Sequence, residues 1–269
     1  MRNRPGLVTL SAGWRTDLAI LRHTGSQITD GGDHLVIRTP RNPLFHWGNF
    51  LLVTDPGAAD DARRWAEIFA REFPGATHLA LGLPRLPLVE PYARLGLDVG
   101  TDDVLTTATL PEQRPLPEPY AARPFADDRD WAALLALNIA ENRWDARFPE
   151  AEHRDYLTAQ QALRRELVDR GLAQWFGAFD PAGELASYLG IVRCDDLCRY
   201  QAVGTHPDHR RQGLAGHLLG RAARWAGEGG TTRWVIVTES VNPAGRVYRS
   251  VGFSEDAVQV SAYRPTSTF

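Results

Sequence analysis

Apolar positions in this chain fall partly into runs with the two-residue period of a strand and partly into stripes with the period of a helix, and the pattern repeats in two halves. In the first half His34–Thr39 and Phe45–Val53 read as paired strands, and Ala62, Trp65, Ala66, Phe69 and Phe73 mark a helix ended by Pro74-Gly75. Thr77–Leu83 follows as a strand, Val89–Leu95 as a short helix and Val104–Thr107 as part of a last strand. In the second half Tyr120–Phe125 predicts a strand, and aspartates at 127–130 cap a helix carrying Trp131, Leu134, Leu135 and Leu137. A second helix over 150–170 buries Tyr156, Ala159, Leu163 and Leu167. Trp175–Phe179 and Glu184–Val192 flank the turn Asp180-Pro181-Ala182-Gly183 as antiparallel strands, and a reversal at Cys194–Asp196 leads into Leu197–Thr205. Leu214, Leu218, Leu219, Ala222, Trp225 and Ala226 then lie at helical spacing, followed by the buried strand Trp234–Val237. The prediction is an α/β chain with α+β mixed sheets. The proline-rich residues 111–119 read as a semi-rigid linker between domains at 1–110 and 120–269.

Chemistry concentrates at residues 201–215. There a strand ends in Val203-Gly204-Thr205-His206-Pro207 and the chain turns through Arg210, Arg211, Gln212 and Gly213 into a helix beginning with Leu214 and Ala215. Such a turn converges backbone N–H groups where a helix presents its positive end, which suits a diphosphate. Gly213 permits a backbone angle that a side chain resists, and Ala215 allows close approach.

With the residues that follow, this segment resembles the GCN5-related N-acetyltransferases (GNAT). Arg210, Gly213 and Ala215 match the acetyl-CoA motif Q/R-x-x-G-x-G/A. Asn242-Pro243-Ala244 through Tyr248 to Gly252-Phe253 is similar to the second signature, N-x-x-A-x-x-x-Y-x-x-x-G-F, with one residue fewer between Asn242 and Tyr248. The resemblance implies two tandem acetyltransferase-like domains, each a twisted mixed β-sheet flanked by helices, and acetyl transfer from acetyl-CoA to a primary amine of a small molecule or peptide. It implies that Val203 and Thr205 pair with the pantetheine arm, that Asn242 lies beside the cofactor, and that Tyr248 is the general acid for the leaving thiolate. Many relatives carry a glutamate near the position of Gln201, and an amide takes no proton. The base is therefore left open between Glu239, His206 and a water held by Gln201. Asn142-Arg143-Trp144-Asp145 is a candidate acceptor-binding loop, and Phe45–Phe50 either faces the cleft or packs in the first domain's core.

The first half carries a short echo of the second signature, Tyr92-Ala93-Arg94-Leu95-Gly96-Leu97, but no phosphate motif. Asp55, Asp60 and Asp61 stand where that loop belongs and would repel a diphosphate, so this half is expected to be a degenerate domain without cofactor. The tandem arrangement with an active second half is similar to that of mycothiol synthases, which implies a thiol-precursor amine among the acceptors.

Composition narrows the alternatives. The 269 residues are 43% hydrophobic and 23% charged with net charge −3, a globular composition without the positive field that nucleic acid or an anionic membrane calls for. All 30 basic residues are arginine, which excludes a lysine Schiff base or a P-loop lysine. Cys194 and Cys198 have no second pair to complete a zinc site, and His206, His209 and His217 lack metal-ligand spacing, so no metal is expected. Met1–Gly6 opens no signal peptide and no window reaches a membrane span. The expectation is a cytoplasmic monomer or homodimer. The rival readings are a non-catalytic acyl-CoA-binding or sensory module, and a structural or regulatory partner that binds no CoA.

Overall fold

The computed structural model describes residues 10–145 and 149–265, without side chains at 142–145. The chain divides into two compact units, Met1–Val104 with Ala257–Phe269, and Leu105–Asp256. Both are mixed α/β, and no helix among the described residues is long and apolar enough to cross a membrane.

The first unit opens with α1 (Ala12–His23), β1 (Gln27–Asp30), β2 (His34–Arg38) and β3 (Phe50–Val53). It continues with α2 (Ala62–Glu72), β4 (Leu79–Leu83), α3 (Val89–Ala93) and the greater part of β5 (Asp98–Thr107). α1 is absent from the sequence reading. Ser11 caps it by accepting from the Trp14 amide, and Trp14, Leu18 and Leu21 face the sheet at helical spacing. The expected strand from Phe45 begins only at Phe50. Asn49 gathers the preceding loop by accepting from the Thr39 amide and donating to the carbonyls of Asn42 and Phe45, which bends 46–48 into a 3-10 turn. Phe45 and Trp47 pack on the core with Trp14 and Phe50, which answers the open question about that run.

The second unit runs through β6 (Ala121–Pro124), α4 (Asp128–Asp145), α5 (Glu150–Asp169), β7 (Ala173–Phe179), β8 (Leu185–Cys194) and β9 (Leu197–Thr205). Then come α6 (Leu214–Glu228), β10 (Arg233–Glu239) and α7 (Ala244–Arg249), before β11 (Ser254–Arg264). Its strands lie in the order β10-β9-β8-β7-β6, antiparallel except for the parallel β9–β10 pair. One apolar cluster joins Phe176, Leu189, Ile191 and Tyr200 of the sheet to Leu214, Leu218, Leu219 and Ala222 of α6 and Tyr248 of α7.

Two features depart from the expected domain plan. From Ala257 onward β11 is counted with the first unit, where it pairs antiparallel with β4 from Val260 opposite Leu83 to Arg264 opposite Leu79. Residues 111–119 are also no free spacer. The Glu112 amide donates to Val251, His217 Nδ1 lies 2.8 Å from the Arg114 carbonyl, and a Cβ on Gly220 would come within 2.3 Å of Gln113 Cα. The segment is a strap across α6.

Candidate active site

β9 and β10 run side by side only from Leu197–Arg199 opposite Arg233–Val235. Beyond Arg199, β9 continues to Thr205 against β8 alone, and β10 continues to Glu239. A bulge helps open this gap. Ala202 takes φ +50, and the β8–β9 register shifts between Tyr188 and Gly190. Past the bulge the Ser187 hydroxyl donates to Gly204 O at 2.8 Å and lies 2.8 Å from the Thr205 hydroxyl, fixing the strand end.

The chain then turns through Pro207–His209, where the His206 ring accepts from the Asp208 amide and caps the turn. That local role accounts for the placing of the His-Pro pair. Arg210 donates to the Thr205 carbonyl at 3.3 Å, Arg211 adopts φ +62 and Gly213 φ +83. No side chain caps α6, and the amides of residues 211 to 216 have no acceptor among the described residues. A Cβ added to Gly213 would meet nothing within 4 Å, so the turn is open on that side. Six orphan donors at the positive end of a 15-residue helix form an anion cradle, and the residues present fit a diphosphate. Arg210, Arg211 and Gln212 stand exposed around it, Ala215 is half-buried, and Leu214 is buried as the anchor of the helix in the core.

One residue beside the cradle escaped the sequence reading. Arg114, on the strap, lies against Gly216 and donates to the Ser250 carbonyl at the end of α7, bringing a guanidinium between α6 and α7. Nothing in its surrounding Gln-Arg-Pro signals that placement.

The other candidates divide between the two faces of the sheet. Tyr248, on α7, is 5% exposed and shares the apolar cluster with Val203 on the α6 face. Burial pushes its phenol up to about 12, and its hydroxyl has no hydrogen-bond partner among the described residues. Gln201 belongs to the opposite face. Its neighbour Tyr200 donates to Leu219 O on α6, and alternation turns Gln201 away toward α4 and α5. Glu239 stands exposed at the end of β10, and its carbonyl accepts from Asn242. Asn242 Oδ1 in turn accepts from Ala244 at 2.9 Å, holding the start of α7.

A second cluster lies on the α4–α5 face. Tyr188, opposite Gly204 and 4% exposed, accepts from Asn138 Nδ2 at 2.5 Å and donates to Glu141 Oε2 at 3.1 Å. Gly204 is obligatory here, because its Cβ would come within 2.5 Å of the Tyr188 hydroxyl. The side chains of the expected acceptor loop Asn142–Asp145 lie outside the described residues, as do Met1–Gly6. Among the described residues no His, Cys, Asp or Glu group is arranged to hold a metal ion, and both cysteines are buried and free.

The first unit closes the corresponding position. Asp55 accepts from the Gly57 amide, Asp61 caps α2 by accepting from Arg64, and Asp60 is bound by Arg85 and the Leu88 amide. The carbonyls of Ala58 and Ala59 accept from Trp65 Nε1 and from the fully buried Tyr92 hydroxyl, at 2.7 and 2.6 Å. The turn thus presents carbonyls to the core and carboxylates to its own amides. The amides of Asp60, Ala62 and Arg63 have no acceptor among the described residues, but three carboxylates crowd the position.

Comparison with known proteins agrees with this geometry. A mycothiol acetyltransferase from Actinosynnema mirum is 31% identical over 155 residues, covering 55% of this chain and 48% of that protein, so the chain spans about half the length of this relative. The fold is shared with a GCN5-related N-acetyltransferase from Kribbella flavida, at TM-score 0.65 and 15% identity over 96% of this chain and 98% of that one. It is shared too with a tandem GNAT protein from the clavulanic acid biosynthesis pathway, at TM-score 0.52 and 16% identity over 95% and 94%. The acetyltransferase (GNAT) family model matches residues 118–253, half of the sequence, and the chain therefore belongs to that family, whose members transfer acyl groups from acetyl-CoA.

Proposed function

We propose that the second unit binds acetyl-CoA and moves its acetyl group to a primary amine of a small molecule or protein, while the first unit is a degenerate copy without a cofactor site. The observation that carries this reading is the run of unpartnered amides from Arg211 to Gly216, at the mouth of the gap between β9 and β10. Those amides hold the diphosphate, with Arg210, Arg211, Gln212 and Arg114 adding charge and polar contacts at its edge. The unpaired stretch of β9 offers the backbone of Val203 and Thr205 to the pantetheine arm, and Asn242 fixes the start of α7 beside it.

Acetyl-CoA supplies an acyl thioester. Tyr248 keeps its proton throughout the neutral range, because its titration lies near 12, and donates it to the sulfur as negative charge develops there. Gln201 orients the acceptor or a water by hydrogen bonding and takes no proton. Glu239 is the carboxylate nearest in sequence to the open strand ends. The mycothiol acetyltransferase relative makes a thiol-precursor amine the first acceptor to try, and two buried free thiols suit a reducing, cytoplasmic setting.

Calorimetry with acetyl-CoA, followed by thiol release in the presence of an amine panel, tests the reading. Tight binding with amine-dependent thiol release is the expected result. Binding without turnover on any amine supports the second reading, a non-catalytic acyl-CoA-binding module, which Gln201 in place of a carboxylate favours. Absence of binding refutes both.

A further inference from the structure

The hydrogen-bonded group formed by Tyr188, Asn138 and Glu141 has no part in the donor cradle, yet it borders the same gap from the other side. Tyr188 rises from β8 on the α4–α5 face, and its oxygen lies directly over Gly204, on the stretch of β9 that β10 leaves unpaired. The phenol is fixed by its two bonds, one from Asn138 and one to Glu141, both on α4 and one helical turn apart. Burial and the adjacent carboxylate push the Tyr188 phenol up, so it stays a donor. From α5, Arg164 faces the same phenol, with Tyr156 near it and His153 bonded to the Asn138 carbonyl. From β9, Gln201 points to this face.

A carboxylate beside a buried phenol needs charge or hydrogen bonds to compensate it, and a nucleophile arriving opposite the cradle has to shed a proton there. We propose that Glu141 is the proton acceptor for a cationic amine that enters from the α4–α5 face, and that Tyr188 and Asn138 are positioning residues that aim its carboxylate at the gap. The inference rests on the amine-acetylation reading above and supplies the base that Gln201 is unable to be. Glu141 takes one proton from the ammonium and passes it to solvent. The freed nitrogen lone pair forms the C–N bond as the C–S bond breaks. Tyr248 gives its proton to the sulfur, and its phenolate is restored by the second proton that the product nitrogen sheds.

The test compares benzylamine, a cation at neutral pH, with aniline, which is already neutral. Glu141→Gln is expected to lower kcat/KM for benzylamine by about 10²-fold, the usual scale for a positioned base, while aniline stays within about threefold and acetyl-CoA affinity is unchanged. Tyr188→Phe leaves the carboxylate but removes its anchor, so it is expected to give a smaller fall, about tenfold, with the same preference. Full activity of Glu141→Gln on benzylamine, or equal losses on both amines, overturns the assignment and leaves the amine reading intact. A wild-type protein that binds acetyl-CoA but acetylates neither these nor any other amine of the panel overturns the amine reading and the assignment with it.

Discussion

Replacing Gly213 separates the backbone requirement of the cradle from its charge. The position has φ +83 and open space where a Cβ would go, so Gly213→Ala meets no steric obstacle and costs only the left-handed backbone, about 1 kcal/mol. Gly213→Asp pays a similar conformational cost, offset in part because an aspartate at the N-cap accepts from the second or third amide of α6. Both variants should therefore melt within a few degrees of each other. Their ligand affinities should not match. A carboxylate about 5 Å from a phosphate, at the effective dielectric of a protein surface, repels it by roughly 3 kcal/mol per charge pair, and salt screening leaves a loss on the order of 30-fold. The same carboxylate also occupies amides that the diphosphate needs.

Isothermal calorimetry with acetyl-CoA, paired with thermal melts, measures both quantities. The expected pattern is Gly213→Ala within about threefold of wild type and Gly213→Asp weaker by 30-fold or more. Unchanged affinity in Gly213→Asp refutes the cradle. Equal weakening in both variants refutes the electrostatic argument and assigns the effect to backbone strain.

Three further outcomes are expected. Tyr248→Phe, which removes a hydroxyl with no partner among the described residues, should leave stability and acetyl-CoA affinity unchanged and lower turnover about 10²-fold; Tyr92→Phe should do the reverse, leaving the buried Ala59 carbonyl unpaired at a cost of about 1–3 kcal/mol in urea unfolding with activity intact. Calorimetric stoichiometry should be one acetyl-CoA per chain, whereas a second site would contradict the reading of the carboxylate-lined turn at Asp55–Asp61 as one without cofactor. The stacked rings of His46 and His78, 4.0 Å apart, are both held below the ordinary histidine range by burial, His46 to about 4. The folded chain then binds fewer protons than the unfolded one between about pH 4 and 6.5, so the melting temperature should be level above 6.5 and fall as pH drops through that window, and His46→Gln should flatten the fall.

What the sequence made legible follows from how local each signal is. The elements around Gly213 were readable because strand, glycine turn and amphipathic helix follow one another without interruption. The helix over Ala12–His23 carried a readable signal as well, Ser11 ahead of Trp14, Leu18 and Leu21, which the reading passed over. By contrast, the place of β11 depends on pairing with β4, some 180 residues earlier in the chain, and no local pattern encodes such a partner. The Glu141–Tyr188 pair was hidden for the same reason, since 47 residues separate a helix position from a strand position and neither belongs to a motif. Proline content over 111–119 likewise says nothing about environment, because proline specifies φ and not what the strap packs on.

The two units solve one structural problem in opposite ways. In each, a short helix ends in the same turn: Tyr92 O accepts from Leu95 and Leu97 before Gly96 at φ +70, and Tyr248 O accepts from Val251 and Phe253 before Gly252 at φ +108. The tyrosine hydroxyl shows where the units part. In the first, the hydroxyl is bonded to Ala59, and Asp55 and Asp61 accept from amides of their own turn and helix start. In the second, the hydroxyl and six amides are left without protein partners, a loss of internal hydrogen bonding that a folded protein tolerates only where solvent or a ligand replaces it. Removing the first unit to prove the point is not a clean experiment, because β11 follows the second unit in the chain and ends in the first, so a cut at residue 110 deprives the first unit of the partner strand of β4. Point changes at Gly213, Tyr248 and Tyr92 test the same division of labour with both units intact.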